Sequence, residues 1–163
     1  MAAGATYTPI ASYTVSGSST TSYTFSSIPA TYTDIIAIYS TSVSGGGQTS
    51  VQFNGDTATN YSQTQLYGLG SGSGGSNRNT NNTSMLLGWD SPPSGFSTNI
   101  LHVMNYSNST TYKTCLARRN SADYLTAALV GLWRSTSAVN AITFSSGIYV
   151  AGSTFALYGI TAA

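Results

Sequence analysis

The side chains able to do acid–base or ionic chemistry in this chain are few enough to name completely. His102 is the one histidine, and Asp34, Asp56, Asp90 and Asp123 are the carboxylates, with no glutamate. Arg78, Lys113, Arg118, Arg119 and Arg134 are the cations, and Cys115 is the one thiol. A Ser–His–Asp relay needs His102 beside an aspartate and a serine on an exposed turn. Serines are plentiful, but Gly70-Ser71-Gly72-Ser73-Gly74 matches a nucleophile elbow through low complexity, not through a strand–turn–helix context. Glycosidase chemistry needs two carboxylates about 5–9.5 Å apart. The four aspartates lie in four separate segments, near strand ends or turns, where a carboxylate serves an Asx turn or a cap. His102 sits in the apolar run Ile100-Leu101-His102-Val103-Met104, the setting of a satisfied core or interface histidine. No enzyme is expected. No cofactor is expected either, since no Cys/His cluster suits zinc and no glycine run leads into Lys-Ser or Lys-Thr for phosphate. Asn54, Asp56 and Asn60 are too sparse a set of oxygen ligands for calcium, so the expected metal complement is none.

Charged residues make up 6% of the chain, against about 25% in ordinary soluble domains. A net charge of +1 leaves nothing for the multiple phosphate contacts of nucleic-acid binding. Arg118-Arg119 is the one basic pair and reads as a solvated strand end or an interface ion pair. Cys115 has no partner for a disulfide and reads as a small buried hydrophobe. What is left is surface chemistry: hydroxyls, carboxamides and the rings of twelve Tyr, five Phe and two Trp. Tyr61, Tyr67, Trp89 and Tyr106 could stack on sugar rings. The same residue types also fill an inter-sheet core with their polar tips wet.

The elements that must position these groups read as strands. Short β-type runs span 6–15, 22–26, 34–43, 49–53, 62–67, 83–89, 98–106, 111–118, 124–133, 141–145 and 154–160, separated by Ser, Thr, Gly, Asn and Pro. Several alternate large and small or apolar and polar residues, as a half-buried strand does. Others, including Ile35–Tyr39, Ile100–Met104 and Leu125–Trp133, are apolar on both faces. Such strands are central in a double-layered structure or covered by a neighbouring subunit. A helix competes only over 124–134, and Gly131 with the β-branched positions favours a strand there. Asn54-Gly55 is a hairpin signal, and Pro9 marks the first run as an edge strand or a bulged lead-in. Residues 68–82, GLGSGSGGSNRNTNN, read as a flexible loop. These features predict a single all-β domain over 1–163, an antiparallel β-sandwich of about 8–11 strands with no substantial helix. No signal peptide and no membrane-spanning run is seen, which places synthesis in a cytoplasm.

A resemblance rests on ordered strings in the chain. They are Phe53-Asn54-Gly55-Asp56, Asn60-Tyr61-Ser62, the run from Met104 to Thr114 (MNYSNSTTYKT), Val130-Gly131-Leu132-Trp133-Arg134-Ser135-Thr136 and the run from Gly152 to Ile160 (GSTFALYGI). Ile28 to Asp34 (IPATYTD) extends the likeness toward the N-terminus. With these strings the chain resembles a family of small virion proteins of tailed bacteriophages. The resemblance implies a jelly-roll-like sandwich that assembles as a symmetric oligomer, with a homotrimer as the expectation. It also implies a place on the virion surface and no catalytic residue. Two roles follow as expectations. One is a capsid decoration (cement) protein docked on the major capsid protein or another virion protein. The other is a tail-fibre or tail-tip module recognising cell-surface glycan. Trp133 and Arg134 are the expected interface anchors, because Trp and Arg dominate hot spots, with Arg118 and Arg119 as further interface candidates.

Overall fold

A computed structural model describes residues 6–17, 20–89, 95–122 and 124–161, with the backbone alone at Trp89. Among these residues there are fourteen strands and no helix. In chain order they are β1 (Tyr7–Thr14), β2 (Ser22–Phe25), β3 (Asp34–Thr41), β4 (Val43–Ser44), β5 (Gln48–Phe53), β6 (Tyr61–Leu69) and β7 (Gly74–Asn82). Then follow β8 (Met85–Trp89), β9 (Ser97–Val103), β10 (Lys113–Ser121), β11 (Leu125–Trp133), β12 (Ile142–Ser145), β13 (Ile148–Tyr149) and β14 (Thr154–Ile160). An eight-stranded sheet runs β1-β14-β3-β9-β10-β11-β6-β7, and a four-stranded sheet runs β2-β12-β5-β8. A small β13-β4 pair completes the set. Every pairing between them is antiparallel. The expected antiparallel β-sandwich is the architecture found.

All eleven expected strands are present, including β11, where a helix competed. Three strands exceed the expected number. β4 and β13 are two residues each and carry no periodicity of their own. β7 is a different matter, because it lies within residues 68–82, read from composition as a loop. That segment is instead the end of β6, a turn containing Gly72 at φ 87°, and the nine-residue β7 paired along β6. Glycine and asparagine have poor strand propensity, so the pairing surface of β6 supplies what the local sequence lacks. Pro9 behaves as its chemistry requires: β1 is a sheet edge, and its register with β14 slips between Pro9 and Ala11.

The two sheets enclose a core rich in aromatics. Near one end, Tyr39, Phe144 and Phe155 pack together, with Tyr149 edge-on to Phe155. Near the other, Phe53 of the small sheet meets Tyr61 and Trp133 of the large one. Cys115 is fully buried, as a small hydrophobe would be, and burial pushes its thiol far above its ordinary range. Lys113 is also fully buried on the inner face of β10, an exception to the apolar pattern. Its ammonium donates to the carbonyls of Thr111 (2.8 Å) and Thr136 (3.2 Å), and burial lowers its pKa.

Tyr61 ties the fold to alkaline pH. Burial pushes its phenol from 10.0 up to about 12, and its hydroxyl accepts from Phe53 N at 2.9 Å. Because the folded value lies above the unfolded one, this contribution is intact below pH 10 and drains away between 10 and 12. Lys113 acts in the opposite sense, since its burial cost is relieved as pH approaches 10.5. We expect Tyr61→Phe to cost about 1 kcal/mol at neutral pH through the lost hydrogen bond. Thermal unfolding between pH 9 and 12 should then show a shallower alkaline loss than the parent chain.

Candidate interaction surface

The first candidate site is a corner rather than a cleft. Asn54 and Gly55 leave β5 with φ 54° and 69°, and Asp56 N closes the turn on Phe53 O at 2.9 Å. This is the turn geometry that Asn-Gly favours, but it does not make a hairpin. β5 belongs to the four-stranded sheet and β6 to the eight-stranded one, so the turn carries the chain between layers. The Asn54 side chain pins the returning segment, donating to Ala138 O and accepting from the amides of Asn140 and Ala141.

Asp56 is the hub. One carboxylate oxygen accepts from Ala58 N at 2.9 Å. The other accepts from Asn60 Nδ2 at 2.9 Å and from Trp133 Nε1 at 2.7 Å. Burial raises the Asp56 pKa, but these three hydrogen bonds outweigh it and hold the carboxyl below its ordinary 3.8. Arg134 N donates to Asn60 O, while its guanidinium reaches Ser62 Oγ, Thr59 O and Asn81 Oδ1. Residues from segments 53–56, 60–62 and 130–136 thus meet in one hydrogen-bonded corner. Their chemistry here is structural. The sequence singled out Trp133 and Arg134 and read Asp56 as an Asx-turn carboxylate, as its bond from Ala58 N bears out, but its link to Trp133 arises only on folding.

Several expected site residues are therefore reassigned. Trp133 is buried and stacked with Tyr61, so it is no surface anchor, and Arg134 is held by its own chain. Tyr61 and Tyr106 are fully buried and cannot stack on a sugar. The Tyr106 hydroxyl instead donates to Pro29 O and accepts from Tyr32 N, linking two loops. Rings of this size stay inside because they bury more apolar area than any other side chain. Arg119 points into the sandwich and Arg118 out of it, as adjacent residues of one strand must. The Trp89 side chain, Asp90 and Asp123 lie outside the described residues. Tyr67 remains half-buried at the rim of a cleft between the sheets.

The second candidate is the outer face of the eight-stranded sheet. Register places Tyr158, Ile36, His102, Leu116, Val130 and Thr64 side by side in one row across six strands. The next row reads Ala156, Ile38, Ile100, Arg118, Ala128 and Leu66. Leu66 is 64% exposed, Leu116 46% and Val130 44%. The strands that read as apolar on both faces thus turn their second face to the outside of this chain. Shallow grooves cross it, one of about 310 Å³ between Ile36, Ile100, Leu116 and Ala128. Polar points interrupt it: Thr64 and Arg118 stand in these rows, and the row beyond them reads Ser40, Thr98, Asn120 and Thr126. His102 Nε2 sits 2.9 Å from Asp34 Oδ2, and Asp34 Oδ1 accepts from Asn105 N. That pairing orients the imidazole within an apolar row, with Ile36 and Leu116 as its cross-strand neighbours.

No family model matches the chain, and no curated protein does. Among the described residues no group of three or more His, Cys, Asp or Glu side chains is placed to hold a metal ion, and no helix is long and apolar enough to cross a membrane.

Proposed function

We propose that this chain is a virion structural protein, a capsid decoration (cement) protein that assembles with copies of itself and docks on a phage shell. The observation that carries the reading is the exposed apolar outer face of the large sheet. Exposed apolar residues gathered within a polar surround mark an interaction surface. The occupant that fits it is another copy of the chain. A net charge of +1 gives copies little mutual repulsion, and the phage proteins it resembles form symmetric oligomers. A homotrimer is the stoichiometry this reading expects.

A tail-fibre or tail-tip module is the other role open to such a protein, and position on the particle separates the two. In a cryo-EM reconstruction of the virion, decoration requires density at many three-fold or quasi-three-fold shell positions. A handful of copies confined to the tail would rule it out. Assembly should also be nearly indifferent to salt, because there is little charge to screen. Sedimentation in low salt and in about 0.5 M salt is expected to give the same mass, and dissociation by salt would contradict a face held by apolar contact.

A further inference from the structure

The four-stranded sheet is narrower than the sheet it covers. Its edge strand β8 packs over β10, β11 and β6, while β7 lies beyond it and is exposed on both faces. Gln63 of β6 clips that edge: its side chain donates to Leu86 O and accepts from Leu86 N, both at 2.7 Å. One step further along the strands the layers part. The β5–β8 register slips between Thr49 and Ser50, and Gly88 adopts φ 110°. The φ of Gly88 favours glycine, and a Cβ there would lie 2.7 Å from Arg119 Nη1 and displace the guanidinium from beneath β8. Bulges of this kind re-aim strands beside functional sites.

The result is a cleft of about 240 Å³. Gln65 and Asn77, paired across β6 and β7, bring two carboxamides to its lining, which also includes Gln48, Tyr67, Tyr124 and Arg119, with Leu87 and Ala127 as apolar members. We propose that this cleft binds a neutral sugar ring. A carboxamide offers a donor and an acceptor on one planar group, matching the vicinal hydroxyls of a pyranose, and the tyrosine rings offer apolar faces to its C–H side. The volume is below the roughly 300–1,000 Å³ typical of drug-sized ligands, which suits one monosaccharide. Arg119 also lines the cleft but is engaged within the chain, and the proposal is for a neutral rather than an acidic sugar. The proposal concerns the opposite face of the sheet from the docking surface and stands whether the protein sits on shell or tail.

The test is titration of the ¹⁵N-labelled full chain with methyl glycosides of glucose, galactose, mannose and N-acetylglucosamine, up to about 50 mM, a range suited to millimolar affinity. At least one is expected to shift the side-chain amide signals of Gln65 and Asn77 with millimolar Kd. Asn77→Ala, on the exposed edge strand, should weaken that binding at least about tenfold, and Tyr67→Ala should do the same. Tyr112→Ser, exposed and outside both the cleft and the docking face, should leave it unchanged. No amide shift with any glycoside overturns the proposal. So does binding that Asn77→Ala does not alter, or a preference for glucuronate over every neutral sugar.

Discussion

Replacing Trp133 with alanine is expected to remove about 3–5 kcal/mol of folding stability. That is a large share of the roughly 5–15 kcal/mol that holds a domain together. Trp133 is buried, its ring is 5.5 Å from Phe53 and 6.4 Å from Tyr61, and its indole N–H donates to Asp56. Truncation opens a cavity between the sheets and strips one donor from a carboxylate already carrying a burial cost. Trp133→Phe separates the two effects, since it keeps most of the volume and loses only the donor, for an expected cost of about 1–3 kcal/mol. Urea unfolding followed by circular dichroism measures both. A loss below about 1 kcal/mol for Trp133→Ala would mean that the corner does not clamp the layers. Asp56 makes the same network acid-sensitive. Its folded pKa lies below 3.8, so its contribution is complete above that pH and is lost as pH falls through the folded value. Asp56→Asn should flatten that acid limb.

The second large effect is expected at the outer face. Leu116 and Val130 are direct cross-strand neighbours, each almost half exposed. Leu116→Asp with Val130→Asp would place two carboxylates at the centre of an interface that otherwise buries two apolar side chains, each worth about 1.5–3 kcal/mol. Assembly should weaken by at least about a hundredfold, giving monomers in light scattering at concentrations where the parent chain is oligomeric. The fold should survive, because both side chains point away from the core. An unaltered oligomer would move the interface elsewhere, and a monomeric parent chain would remove the self-assembly reading altogether.

The strands were legible because their signal is local. Side chains alternate along a strand with a period of two, and Gly, Pro and Asn interrupt it at turns. Thr154–Ile160 could be bounded to the residue, and Pro9 announced its edge position. β7 was not legible, since nothing in GGSNRNTNN asks for a strand except the neighbouring β6. Site residues fared according to the same distinction. Tyr67 kept a place at a cleft rim, but Tyr61, Tyr106 and Trp133 went inside. An aromatic residue reads identically in sequence whether its ring faces a core or a ligand.

Composition and spacing by themselves determined an all-β chain with few charges and strands apolar on two faces, because those properties belong to each segment alone. The tertiary structure decided which sheet each strand joined and which apolar face stayed outside. It also brought Asp56 beneath the indole of Trp133 and opened a cleft beside Gly88. Those outcomes depend on contacts between residues far apart in the chain, and such contacts exist only once the two layers have closed on one another.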